Sequence, residues 1–240
     1  MENKSLDNIS LSDIQLFLIN AERLYNDSKT VSFPTKVALI EISLEEVAKG
    51  WFFMLKFLKR HPMKLSIAEN FIESSAINKI PTNELNEYGE KFWDLVNNVE
   101  SFTYNDLKYH EKKIEILSSI KQWIQNILEL QIKYPFLTSY EKISEFVTRG
   151  IIRERFDTNE IKNVLQKAKE FLSQINEDKL EKITKLKEDG FYVDITPSGH
   201  AKSPTLLTES SLNLNYLEIF LQLLIDYLKF LSNMVIGKES

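Results

Sequence analysis

The chain has 240 residues, 43% of them apolar and 27% charged, with no cysteine, three histidines, six glycines and a net charge of −5. The apolar share suffices for a folded core, and the lack of cysteine excludes disulfides, thiolate metal centres and thiol catalysis. So few glycines, against a usual share of about 7%, argue against all-β folds and the phosphate loops of doubly wound α/β folds, and the negative balance gives no overall basic field for nucleic acid.

The N-terminus, MENKSLDNISLSD, is polar and lacks the apolar stretch of a secretory signal, so a cytoplasmic chain is expected. A first helix is predicted from Ser10 or Ser12, either of which can serve as N-cap, to about Thr30, with Ile14, Phe17 or Leu18, Ala21, Leu24, Tyr25 and Ser28 recurring at helical spacing. After a break at Val31-Ser32-Phe33, Pro34 suits the first turn of a second helix reaching Arg60. This helix is apolar apart from a stripe of Glu41, Glu45 and Lys49 spaced four apart, with Glu46 beside it, and that stripe faces either solvent or a polar pocket. It ends at Arg60-His61-Pro62, where a histidine suits the negative end of the helix dipole.

Shorter helices are expected over 65–78 and 83–99, then a long one over 104–133. Thr138 and Glu141 have the capping-box spacing for a helix over 139–149, and Asp157 and Glu160 open a run to 189. Gly190 closes that run, 191–195 reads as a short extended segment, and 196–208 reads as a loop. The last helix, 209–236, is interrupted by Glu218, Gln222, Asp226 and Lys229, too often for a membrane span. The fold expected is all-α, with a helical bundle over 10–133, a second helical part over 138–240 packed on it, and a loop over 190–208. Long apolar stretches in 34–60 and 209–236 suggest a homodimer.

Asp106, His110 and Lys113 fall at i, i+4 and i+7, one face of the 104–133 helix, while Glu45 and Lys49 fall at i and i+4 on the second helix. Antiparallel packing of the two helices would bring those faces together. One reading is a site that cleaves or binds RNA. His110 would take the proton of a 2′-hydroxyl, Lys49 and Lys113 would hold a phosphate, and Asp106 or Glu45 would orient the imidazole. The other reading is an ion-pair network that keeps two helices in register. No Glu-x-x-His pair of the di-iron type is present, and no metal or cofactor is called for. His200 lies in the 196–208 loop, and Arg149, Arg153 and Arg155 form a local basic cluster that suits phosphates, an acidic partner or a solvated face.

Four patterns occur in order: Asn20-Ala-Glu-Arg-Leu-Tyr-Asn-Asp27, Ala38 to Lys49 with Glu45-Glu46-x-x-Lys49 at its end, His110-Glu-Lys-Lys113, and Gly190-Phe-Tyr-Val-Asp194. Together they resemble the AbiV family of bacterial abortive-infection proteins, whose N-terminal part is assigned to the HEPN helical superfamily. The resemblance implies a HEPN-like bundle with additional C-terminal helices and a role in antiviral defence, in which the protein stops host translation after contact with a phage-encoded activator. It also directs attention to Asp27, Glu46, Tyr192 and Asp194 as binding positions beside Asp106. Tyr192 and Asp194 either complete the pocket, pair with a partner or simply form a packing strand. Many HEPN proteins are dimeric, metal-independent RNases with an Arg-x(4–6)-His motif. None of the arginines at 23, 60, 149, 153 and 155 stands at that distance before a histidine, so RNase activity does not carry over.

Overall fold

A computed structural model describes residues 9–61, 80–108, 110–134, 158–175, 194–195, 201–202 and 214–236. Among them the protein is all-α, with six α-helices: α1 (Leu11–Ser28), α2 (Phe33–Arg60), α3 (Thr82–Glu100), α4 (His110–Lys133), α5 (Thr158–Ser173) and α6 (Asn215–Ile236). A 3-10 turn spans Asp106–Lys108. Strands β1 (Asp194–Ile195) and β2 (Ala201–Lys202) form a short antiparallel ladder, with Asp194 opposite Lys202 and Ile195 opposite Ala201. The helices expected over 65–78 and 139–149, the capping box at Thr138, the arginine cluster at 149–155 and His200 lie outside the described residues.

Ser10 fixes the start of α1 through a capping box: the Asp13 amide donates to its hydroxyl at 3.3 Å, and its own amide donates to Asp13 Oδ2 at 2.9 Å. The resulting hydrogen bonds hold the Asp13 carboxyl below its ordinary range. Proline stands in the first turn of α2, and His61 caps its end, with its amide on the Phe57 and Leu58 carbonyls and its ring 4.3 Å from that of Phe57.

Helix α2 is the axis of the molecule, and its direction relative to each neighbour follows from paired residues. Ser43 meets Ala21 and Phe53 meets Phe17, so α1 runs antiparallel to it. Lys59 meets Asn97 while Phe53 stacks on Tyr104 beyond the end of α3, so α3 is antiparallel as well. Phe92 meets Trp123 and Glu84 meets Lys133, which turns α4 back again. Helix α5 lies antiparallel to α4 through Glu129–Lys169 and the Lys121 ammonium on the Ile175 carbonyl. Helix α6 runs in the direction of α2, from Lys36–Glu218 to Trp51, whose indole N–H donates to the Leu224 carbonyl at 2.9 Å.

One continuous apolar core joins these elements. Trp51, Phe92, Trp123 and Tyr227 form its aromatic centre, with the Trp51 and Trp123 rings edge-on at 5.4 Å. Gly50 permits the close crossing of α2 and α6, because a Cβ there would stand 2.7 Å from Leu228 Cδ2. Much of the apolar surface of α2 and α6 that suggested a homodimer is buried within the chain, including Val47, Trp51, Leu55, Leu221, Leu224 and Leu228, and Gly50 and Trp51 of α2 meet Leu228 and Leu224 of α6 directly.

The expected 104–133 helix is divided. Asp106 lies in the 3-10 turn, where its Oδ2 accepts from the Thr103 amide at 2.6 Å and the Thr103 hydroxyl at 2.8 Å. A short acidic side chain that bonds its own neighbouring backbone competes with helix formation, and here it holds the turn ahead of α4. Asp106 therefore does not share a helical face with His110 and Lys113.

Candidate functional site

One turn of α2 carries Glu45, Glu46 and Lys49, and it sends its two carboxylates to different neighbours. Adjacent residues on a helix point about 100° apart, so Glu45 turns to α4 while Glu46 turns to α1. The Lys113 ammonium reaches Glu45 Oε1 at 2.5 Å, with the two side chains only 7% and 16% exposed. On the other side, Asn20 Nδ2 donates to Glu46 Oε2 at 2.9 Å, and the Lys49 ammonium reaches Glu46 Oε1 at 2.5 Å.

The α1 branch continues outward. Arg23 donates to Asn20 Oδ1 and to Asp27 Oδ2, each at 2.9 Å. Lys49, Glu46, Asn20, Arg23 and Asp27 are thus one hydrogen-bonded ladder from the α1–α2 interface to solvent. One turn before Glu45, Glu41 is 1% exposed, so the stripe of Glu41, Glu45 and Lys49 is turned inward at its N-terminal end. A carboxylate at that depth is kept only where charge and hydrogen bonds offset its lost hydration.

The fold therefore brings together Asp27, Glu46 and Lys49 on one side of α2, and Glu45 and Lys113 on the other. His110 is the first residue of α4, one turn ahead of Lys113. Its side chain, that of Asp194 and the whole of Tyr192 fall outside the described residues. Asp106 is held by Thr103, and those bonds keep its carboxyl below the usual range.

Two members of the ladder, Asn20 and Arg23, were not among the residues singled out as candidate site positions. The available signal was the spacing Asn20, Arg23, Asp27 on one face of α1, where side chains three and four apart meet.

The approach of α2 and α4 also differs from the antiparallel arrangement expected. Glu45 pairs with Lys113 and Trp51 with Trp123, so both helices ascend in the same sense. The reason is α3, which returns the chain between them.

Comparison with family models, with curated proteins and with solved structures gives no match.

Chemically, the seam places each of its lysines on a carboxylate, Lys49 on Glu46 and Lys113 on Glu45. A phosphate approaching either ammonium meets a negative charge already seated there. Elsewhere, an open groove of about 190 Å³ lies between α3 and α4, lined by Glu84, Tyr88, Lys91, Asn126, Glu129 and Lys133 among others. Its charges are paired too, Glu84 with Lys133 and Glu129 with Lys169, and none of the residues singled out from the sequence lines it. No group of three or more His, Asp and Glu side chains suited to a metal ion occurs among the described residues.

Proposed function

We propose that this chain is an abortive-infection protein of the AbiV type, acting in the bacterial cytoplasm to stop translation when phage infects. The observation that supports this reading is convergence. Three patterns that resemble the family lie far apart in the sequence, yet the second pairs with each of the others across α2: Glu46 and Lys49 with Asn20, Arg23 and Asp27 of the first on one side, and Glu45 with Lys113 of the third on the other.

Of the two mechanisms open to such a protein, the pairing of both lysines favours action by contact over RNA cleavage. A lysine already seated on a carboxylate is less able to take the negative charge that develops as RNA is cleaved. In the contact reading, the chain is an interaction protein that blocks the translation machinery through binding alone. A phage-encoded activator changes its conformation or assembly.

The test is a plaque assay in cells expressing wild type or His110→Ala, together with incubation of each purified protein with tRNA and ribosomal RNA, with and without lysate of infected cells. The contact reading expects protection by both proteins and intact RNA throughout. Site-specific cleavage by wild type alone, with loss of protection in His110→Ala at an unchanged thermal midpoint, would establish the RNase instead. Absence of protection by wild type against a broad phage panel would remove the defence reading itself.

A further inference from the structure

The open groove between α3 and α4 is built from two matching helix faces. Its lining comes from positions 84, 87, 88 and 91 of α3 and 126, 129, 130 and 133 of α4, the i, i+3, i+4, i+7 spacing of one face in each case. The helices run antiparallel, so Glu84 meets Lys133 at one end, while Lys91 and Asn126 stand toward the other.

The hydrogen-bonding capacity of this groove is unevenly spent. Glu84 takes Lys133 and Tyr134 on Oε1, Glu87 takes Lys91 on Oε1, and Glu129 takes Lys169 on Oε1. Among the described residues, Oε2 of all three carboxylates and the side-chain amide of Asn126 have no partner. Both lysines of the lining, Lys91 and Lys133, are already seated on carboxylates, and Lys169 reaches Glu129 from α5 without lining the groove. What the cavity offers a ligand is therefore chiefly acceptors, beside the apolar flank of Leu130 and Tyr88.

We propose that this groove binds a guanidinium group. Three carboxylates against two lysines disfavour an anion. A guanidinium is planar and carries five N–H donors in a fixed fork, so one group can serve carboxylates on both walls at once. It is also less strongly hydrated than an ammonium and packs its face on apolar surface, which suits a floor of Leu130 and Tyr88. The volume, about 190 Å³, is below the roughly 300–1,000 Å³ of a drug-sized ligand pocket. It therefore fits a free arginine-like compound or one arginine side chain of another protein. Because the groove is open and Glu87 is exposed, water screens these contacts, and a dissociation constant on the order of 1 mM is expected. The inference does not depend on the proposed function.

NMR titration of the full chain tests it, with L-arginine, its neutral urea isostere L-citrulline, and acetyl-arginine-N-methylamide, each to about 20 mM, a range suited to weak binding. Circular dichroism checks the fold of each variant. L-arginine should bind and L-citrulline should bind at least about tenfold more weakly, since it lacks the charge. Equal binding of acetyl-arginine-N-methylamide assigns the site to a protein side chain, and its exclusion assigns it to the free compound. Glu84→Gln with Glu87→Gln should weaken binding about tenfold, and Glu87→Gln alone, which loses only an exposed pair, about threefold. Asn126→Phe fills the groove without changing its charge and should weaken binding by a similar factor, whereas Glu115→Gln, outside the groove, should not. A wild type that binds neither arginine compound overturns the proposal. So does L-citrulline binding as well as L-arginine, or an affinity unmoved in folded Asn126→Phe or folded Glu87→Gln.

Discussion

The Glu45–Lys113 pair gives the sharpest test of what the seam contributes. At 2.5 Å and an effective dielectric near 20, the gross attraction is about 6–7 kcal/mol, most of it offset by the water both groups give up. Removing one member leaves the other charge largely buried. For deeply buried pairs that costs about 3–5 kcal/mol, and the partial water access of Glu45 lowers the expectation to about 2–3 kcal/mol for Lys113→Met. In a chain of this size, that is a fall of roughly 4–12 °C in the thermal midpoint. Replacing both residues, Glu45→Leu with Lys113→Met, should return stability to within about 1 kcal/mol of wild type, since apolar groups of similar volume fill the same space. Thermal unfolding of wild type, both single variants and the double variant measures the coupling. A fall of less than about 2 °C in both singles, equivalent to roughly 1 kcal/mol or less, would refute the argument that the pair holds α2 against α4. The same proteins in a plaque assay separate stability from role: a stable double variant that loses protection assigns the charges a task beyond packing.

Two further outcomes follow from local geometry. Gly50→Val should lower stability by about 2–3 kcal/mol, because the new side chain must displace the fully buried Leu228 at the α2–α6 crossing; a thermal midpoint at or above wild type would contradict the close approach. Asp106 gains stability from being ionised in the fold, since its carboxyl is held below the unfolded value of 3.8 by Thr103. Its contribution is therefore present above that value and disappears as pH falls through the lower folded one. The midpoint difference between wild type and Asp106→Asn should be steady between about pH 5 and 7 and shrink below about pH 4, and a difference that grows on acidification would reverse the sign.

What could be read from the sequence was local. Ser10 as cap, Pro34 in a first turn, His61 at a helix end and the inner face of α1 are each set by residues within one or two turns, and the structure has them as expected. The break before α4 was not legible from apolar spacing, because Leu107 keeps the period while Asp106 turns its carboxylate to Thr103. Helix direction was equally hidden: periodicity marks a face but says nothing of its sense, and only the return of the chain through α3 makes α2 and α4 ascend together. For the site, the Glu45, Glu46 and Lys49 cluster was visible as a polar exception on an apolar helix. Its division between two neighbours was not, because that depends on which helix stands at each side of α2.

The bond from Trp51 to Leu224 also bears on how the chain is made. About 155 residues lie between the end of α2 at Arg60 and the start of α6 at Asn215. At roughly 5–20 residues per second, a ribosome needs about 8–30 seconds to cross that interval. Throughout it, the α2 surface around Gly50 and Trp51 has emerged without the helix that covers it in the native state. The nascent protein thus carries its longest described helix only partly covered for much of its synthesis, a period in which chaperone binding competes with aggregation.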